Sequence, residues 1–269
     1  MQTAIRDTQT DAATAYAEAG WCQSPYRFTQ ADVATLNDAI AHICRQDRPE
    51  VVHEHDSNTV RAVHGCHRFD DVCARLVSHP ALVEMAETLL LEPVYVYQFK
   101  VNMKRAREGA AWPWHQDFAF WNRDDGMVRP DAVNLAIFLD DVHDDNGPLQ
   151  VIPGSHRLGL LDEPSRGAIP SRNWRRHVAA DLEYTVADGT VQQLSAKAGV
   201  RTMTGPAGTC VAFHPSIVHS SSNNLSAHPR AVLLVTYNAV ANAPTHPMRP
   251  EFLVDRDTTP VVRSAGGPL

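Results

Sequence analysis

The chain has 269 residues, 43% apolar and 20% charged, the proportions of a globular protein that can bury a core, which excludes collagenous or disordered chains. A formal charge of −7 with no long Lys/Arg run argues against nucleic-acid or anionic-membrane partners and leaves small molecules as the expected ones. The N-terminus has no basic stretch leading into an apolar one, no apolar run approaches the roughly 18 residues of a membrane span, and the five cysteines form no C-x-x-C pair; a cytoplasmic protein with reduced thiols is expected.

In chain order, the first dozen residues are polar and read as frayed, and Ala12 to Ala19 reads as a short helix ending at Gly20. Thr29 has the chemistry of an N-cap for a helix with Val33, Leu36, Ile40 and Ile43 at helical spacing, broken by Pro49. A further helix is expected from Pro80 to Leu91, with Leu82, Met85, Ala86, Leu89 and Leu90 on one stripe. Helices therefore dominate residues 1–92. After Pro93 the period changes to two: Val94, Val96, Gln98, Lys100 and Asn102 alternate with Tyr95, Tyr97, Phe99, Val101 and Met103, a strand. Further strands are expected over Ala132–Leu139, Leu149–Ile152, Val200–Thr204, Thr209–Phe213 and Ala231–Tyr237, parted by turns such as Asp144-Asp145-Asn146-Gly147-Pro148. Many short strands point to a mainly β protein with flanking helices, a double-stranded β-helix or jelly roll. The expected organisation is a single domain over 1–269, with a helical part about 1–92, a core about 93–240 and a C-terminal tail. Residues 154–198 read as an irregular insert, a lid or a long connection.

Fourteen histidines prompt a search for metal chemistry. In Trp112-Pro-Trp-His115-Gln-Asp117-Phe118-Ala-Phe-Trp121, an imidazole and a carboxylate stand two residues apart, and on an extended backbone both point to one side. A second histidine from a distant strand would complete a 2-His-1-carboxylate set that leaves coordination positions open, as Fe(II) oxygenases need; a structural zinc site would close its shell. One H-x-D is expected by chance at roughly this His content, and His143-Asp144-Asp145 is a rival, but it sits in an acidic loop before an Asn-Gly-Pro turn. The second histidine is best sought in Phe213-His214-Pro-Ser-Ile-Val-His219-Ser-Ser-Ser-Asn-Asn-Leu-Ser-Ala-His228-Pro-Arg230. His214 and His228 precede prolines and fit turns better than His219 does. Arg230, opening the next strand, can offer a two-pronged donor to a carboxylate.

The H-x-D, the later histidine and the arginine eleven residues beyond it resemble the phytanoyl-CoA dioxygenase superfamily. Thr59-Val-Arg-Ala-Val-His-Gly-Cys-His67, Trp112 to Asp117, Asn146-Gly-Pro-Leu, Pro153-Gly-Ser-His156, Gly205-Pro-Ala-Gly208, Val235-Thr-Tyr-Asn238 and Arg249-Pro-Glu-Phe252 are similar to its bacterial free-amino-acid hydroxylases. The resemblance implies Fe(II) held by His115, Asp117 and His219, with 2-oxoglutarate as cosubstrate meeting Arg230, Gln98, Asn102, Asn134 and Ser221, and O2 as oxidant. It implies Arg249, Trp121, Arg61, His64 and Phe118 near a free L-amino acid, first L-proline hydroxylated at the trans-4 carbon or a close cyclic analogue, then leucine or another aliphatic amino acid. Ser220 departs from the glycine that usually follows the distal histidine. Without the resemblance, the aromatic residues would read as core packing and Arg61 and Arg249 as ion-pair partners; a non-catalytic metal-binding jelly roll is the rival of a different class.

Overall fold

The computed structural model describes residues 2–55, 57–161, 174–178 and 182–269, with side chains from residue 11 onward. Two antiparallel sheets face each other. The larger is built from β1 (Trp21–Gln23), β2 (Val51–His53), β3 (Val60–His64), β4 (Val94–Lys104), β6 (Ala132–Phe138), β9 (Cys210–Phe213) and β11 (Arg230–Ala239), in the order β1-β9-β6-β11-β4-β3-β2. The smaller runs β5-β10-β7-β8, from β5 (Trp112–His115), β7 (Leu149–Val151), β8 (Arg201–Met203) and β10 (His219–Ser221). This is the expected mainly β jelly roll with flanking helices.

The helices α1 (Gln2–Ala19), α2 (Gln30–Ile43), α3 (Asp71–Val77) and α4 (Pro80–Leu90) occupy the first part of the chain. Thr29 caps α2 as expected, its hydroxyl accepting from the Asp32 amide while the Asp32 carboxylate accepts from the Thr29 amide, a reciprocal pair that satisfies two otherwise orphaned donors. Leu36, Ile40, Leu76, Leu82 and Ala86 from these helices pack on Phe99, Val101, Leu135, Ile137, Leu233 and Val235 of the large sheet's outer face. Three expectations need correction. The first helix starts at Gln2, ten residues before Ala12. Helices do dominate the first ninety residues, but the sheet core does not begin at about residue 93, because β1, β2 and β3 join the large sheet; at three to five residues they are too short to show a period. The β4 alternation is also broken. Thr236 of β11 pairs with Gln98 and the next residue, Tyr237, with Val96, so Tyr97 is an extra residue, a bulge. Before it Tyr95 and Tyr97 turn away from the helices, whereas Val94 and Val96 pack among them; after it Phe99 and Val101 are the ones on the helix side.

Between the sheets, Ala136, Phe138, Val211, Phe213, Val232 and Leu234 meet Val151, Met203 and Ile217. At one end this apolar filling gives way to polar side chains around a cavity. In the insert, 3-10 turns at Ser155–Leu158 and Trp174–His177 and helix α6 (Asp188–Ala198) are present; residues 162–173 and 179–181 of the expected lid lie outside the described residues. No helix among the described residues is long and apolar enough to cross a membrane.

Candidate active site

His219 and His115 are direct cross-strand partners, on β10 and β5, which is how histidines a hundred residues apart come to have ring centroids 4.1 Å from each other. Gln116 is extended, with φ −123° and ψ 124°, and Asp117 opens helix α5 (Asp117–Asp125). The shared side of His115 and Asp117 thus comes from one extended residue between strand and helix, and the periodicity beyond Asp117 is helical. His115 Nε2 lies 3.6 Å and His219 Nε2 3.9 Å from Asp117 Oδ1. Each imidazole gives its Nδ1 to a carbonyl two residues earlier, at 2.6 Å to Pro113 and 2.9 Å to Ile217. With Nδ1–H donated in this way, Nε2 carries the lone pair toward the shared centre, the arrangement that orients metal-binding histidines.

Asp117 Oδ2 accepts from Asn134 Nδ2 at 2.9 Å and from Lys100 Nζ at 3.4 Å, and Asn134 Oδ1 accepts from Thr236 at 2.6 Å. Asn134, Thr236 and Gln98 stand in one row across β6, β11 and β4, so the large sheet anchors the carboxylate. Burial acts to raise the Asp117 carboxyl, but the neighbouring Lys100 ammonium leads the influences that hold it well below the usual range. Burial first, then the His115 neighbour, pushes His219 down to about 3, a neutral ring. The three donor atoms lie within 4.8 Å of one another, and this is the only such His/Cys/Asp/Glu group among the described residues. Two imidazoles and one carboxylate, without a fourth protein donor among the described residues, fit a divalent iron that keeps positions open for exogenous ligands. The rival His143 is exposed in its acidic loop, and His214, with its Nδ1 taking the Ser216 amide, shapes a turn.

The same cavity is lined by Gln98, Lys100, Asn102, His64, Trp121, Phe120, Ser221, Arg230 and Arg249. Arg230 is buried; burial lowers its pKa to about 10 against the opposing Asp140 carboxylate. Its Nη2 donates to the Gly147 carbonyl, and Nε has no hydrogen-bond partner among the described residues. Gly147 adopts φ +81°, and a Cβ there would meet the Ser222 carbonyl at 2.7 Å, so the Asn146-Gly-Pro turn needs glycine to reach Arg230. Asn102 Oδ1 and His64 Nε2 are likewise buried, with no hydrogen-bond partner among the described residues. Burial, then Lys100 and Arg249, presses His64 down to about 3. Gln98 donates to the Leu253 carbonyl at 2.7 Å, and Ser221 and Ser220 lie buried beside the histidines.

Three expected residues are placed otherwise. Asn134 does not line the cavity; both ends of its amide are used behind Asp117. Phe118 turns away into the packing around Tyr95 and Leu253, because the helix that begins at Asp117 carries residues 120 and 121 back to the cavity instead. Arg61 is a clamp outside the cavity: its guanidinium meets both oxygens of Glu54 and the carbonyls of Val178 and Ala111, and lies 4.0 Å over the Trp112 ring. Arg249 does reach the cavity, but it is ion-paired at 2.5 Å with the fully buried Asp125. Sequence reasoning missed Lys100 as a site residue, although it shares a face with Gln98 and Asn102, and missed Phe120 and His177. Behind Arg230, outside the cavity lining, the buried Lys104 has its pKa lowered to about 6 by burial and by the Arg230 and Arg61 charges, and its Nζ donates to the Ser222 carbonyl.

Known proteins resemble this chain over nearly its whole length. The model of the phytanoyl-CoA dioxygenase family matches residues 16–232. An L-proline trans-4-hydroxylase from Streptomyces griseoviridis is 62% identical over 253 residues, 94% of each chain. An ectoine dioxygenase from Bordetella bronchiseptica is 32% identical, over 94% of this chain and 84% of its own. Among solved structures, EctD from S. alaskensis with 2-oxoglutarate and 5-hydroxyectoine superposes with a TM-score of 0.80 at 29% identity, covering 95% of this chain and 86% of that one.

Proposed function

The chain belongs to the phytanoyl-CoA dioxygenase family, and from that premise we propose that it is an Fe(II)- and 2-oxoglutarate-dependent dioxygenase that hydroxylates free L-proline at the trans-4 carbon. The observation that carries the reading is a single cavity in which two imidazole Nε2 atoms and one carboxylate converge, with the buried, incompletely partnered Arg230 on the same wall. The 62% identity to an L-proline trans-4-hydroxylase supports the substrate. The family match across residues 16–232, with early strands built into the large sheet, supports one catalytic domain, and five free cysteines support a reducing, cytoplasmic setting.

His115, Asp117 and His219 would hold Fe(II), with Thr236 and Asn134 fixing the carboxylate from behind. Arg230 would take the far carboxylate of 2-oxoglutarate, its neutralising charge kept strong by burial, with Asn102, Ser221 and Gln98 supplying further polar contacts. When bound, the iron supplies the chemistry of converting 2-oxoglutarate and O2 to succinate and CO2 while one oxygen atom enters a C–H bond of the substrate. Trp121 and Phe120 would wall the substrate and exclude water, and Arg249, its guanidinium oriented by Asp125, would face the substrate's carboxylate.

The test is anaerobic reconstitution with Fe(II) and 2-oxoglutarate, then exposure to air, following succinate and the mass gain of one oxygen across the free amino acids, with Asp117→Ala alongside. The expected result is substrate-dependent succinate with L-proline and a product identical to trans-4-hydroxy-L-proline, both absent in the variant. Turnover with leucine alone would move the substrate to an aliphatic amino acid, and no oxoacid turnover with any amino acid would favour a metal-binding protein without catalysis.

A further inference from the structure

Resting on the reading of a free imino acid as substrate, we propose that His177, backed by the carboxylates of Asp124 and Glu183, receives the substrate's ammonium group and makes this site require an amine. The placement begins on helix α5. Asp117, Trp121 and Asp124 fall at i, i+4 and i+7, one face of a helix, so the face runs from the proposed metal, past the indole that walls the cavity, to a carboxylate roughly 10 Å further along the axis. Asp124 and Asp125 end that helix, where the backbone dipole adds negative potential. Asp125 is consumed by Arg249 and Tyr97. Asp124 takes a bond from the Tyr184 hydroxyl on Oδ1 at 3.2 Å, while its buried Oδ2 has no hydrogen-bond partner among the described residues.

His177 lies between this acid and the cavity it lines. Its side chain is 3% exposed, Nε2 stands 3.5 Å from Glu183 Oε2 and 3.7 Å from Asp124 Oδ2, and neither ring nitrogen makes a hydrogen bond among the described residues. Phe120 holds the ring edge-on, with centroids 5.3 Å apart. Buried polar atoms with no partner mark the place of a missing one. Burial pushes the imidazole well below its ordinary pKa, so it is neutral and offers one donor and one acceptor. With Nε2–H directed at the two carboxylates, Nδ1 is an acceptor polarised by negative charge behind it, suited to a cationic N–H.

The rest of the wall suits an ammonium less well. Lys100, Arg230 and Arg249 are cations, Asp117 belongs to the metal set, Asn102 stands among the proposed oxoacid contacts, and the unpartnered Nε2 of His64 lies under the positive charges of Lys100 and Arg249. In a zwitterionic amino acid the two charges are separated by one carbon, so its receptor needs a cation and an acceptor side by side. Arg249 supplies the first, and its charge acts on both Asp124 and His177. His177 is therefore a specificity-determining contact, and Asp124 and Glu183 are its positioning residues.

The experiment compares the Fe(II)-loaded wild type, His177→Leu, His177→Gln and Asp124→Asn, using L-proline and tetrahydrofuran-2-carboxylate, the analogue with oxygen in place of the amine. Anaerobic binding is read by quenching of tryptophan fluorescence and turnover by succinate release. For the wild type, proline should bind at least about tenfold more tightly than the oxygen analogue, since a buried group left unpaired penalises the wrong ligand. His177→Leu should raise the KM for proline about tenfold or more with kcat changed little, and should bring the two ligands to within about twofold. Asp124→Asn should follow in the same direction, and His177→Gln, which keeps an acceptor, should recover much of the preference. Melting temperatures and 2-oxoglutarate affinity near wild type certify that the variants are folded. An unchanged proline preference in folded His177→Leu overturns the proposal while leaving the hydroxylase reading intact. A wild-type enzyme that hydroxylates proline but does not prefer it over the oxygen analogue does the same; one that accepts no imino acid overturns both.

Discussion

The two walls of the cavity are built differently. One is made of strands: His115 on β5, His219 on β10, Asn102 and Gln98 on β4, Arg230 on β11, and Asn134 behind Asp117 on β6. There, side chains are fixed by cross-strand register and by bonds to backbone carbonyls, such as those of Pro113, Ile217 and Gly147. The other wall comes from α5, the insert and the C-terminal tail, and its members are held by side chains, their own and that of Tyr97 at the β4 bulge: Arg249 by Asp125 and Tyr97, Tyr184 by Asp124, Trp121 edge-on to Tyr97 at 5.1 Å. On the proposed reading, two of the three metal donors and the oxoacid contacts stand on the sheets, Asp117 stands where β5 passes into α5, and substrate choice falls to the flanking segments, whose sequence can change without disturbing sheet register.

The largest effect expected is from Asp117→Ala. Loss of the one carboxylate of the metal set should cut proline hydroxylation by about a thousandfold, on the order of 4 kcal/mol of barrier, with loss of stoichiometric Fe(II) binding in calorimetry. Next, Arg230→Leu should weaken 2-oxoglutarate binding about a hundredfold while Fe(II) binding stays near wild type; equal loss of both would mean Arg230 supports the fold rather than the cosubstrate. Asn134→Ala should reduce Fe(II) affinity about tenfold, because Asp117 then loses its orienting donor, and it should leave the KM for proline unchanged at saturating iron.

The smallest effect belongs to the other wall. Asp255 ties the tail that carries Arg249 to His67 at 2.6 Å and to Arg68. Burial acts to raise its carboxyl, but the bonds from His67 and Arg68 outweigh it and bring the pKa to about 2. A folded pKa below the unfolded one gives stability that is present in full above about pH 4 and fades as the pH falls toward the folded value. With Arg68 half-exposed, the contribution is discounted to about 1 kcal/mol. Asp255→Asn should therefore lower urea stability by that amount at pH 7, with the gap from wild type closing below pH 4, and should leave 2-oxoglutarate affinity untouched.

The strand-built wall was largely legible in the sequence, since H-x-D, a later histidine and an arginine opening an apolar strand are local patterns whose spacing survives folding. Even there, β5 and β10, at four and three residues, carry no readable period, and the cross-strand pairing of His115 with His219 could not be read. The bulge at Tyr97 flips the faces of β4, so an unbroken alternation put Val94 and Val96 with Gln98 when they lie on the opposite side. Phe118 was expected near the substrate from the resemblance alone; with α5 starting at Asp117, it is residues 120 and 121, three and four positions on, that return to the Asp117 face. Arg61 looked available because nothing in sequence announces that Glu54, Val178 and Ala111 will use its donors. His177 was invisible for a simpler reason: it lies in an insert with no periodicity, and its proposed role depends on Asp124 of α5 and on Glu183, six residues further along the insert, coming together beside it.

The division between the walls is tested most directly by titrating 2-oxoglutarate, anaerobically and with Fe(II) present, into the wild type, Arg230→Leu, Trp121→Ala and His177→Leu, and then adding L-proline to each. The expected pattern is oxoacid binding within about twofold of wild type for Trp121→Ala and His177→Leu, with proline binding weakened at least about tenfold, and the reverse loss for Arg230→Leu. Loss of 2-oxoglutarate binding in the folded Trp121 and His177 variants, or proline binding unaffected by either, would contradict the account.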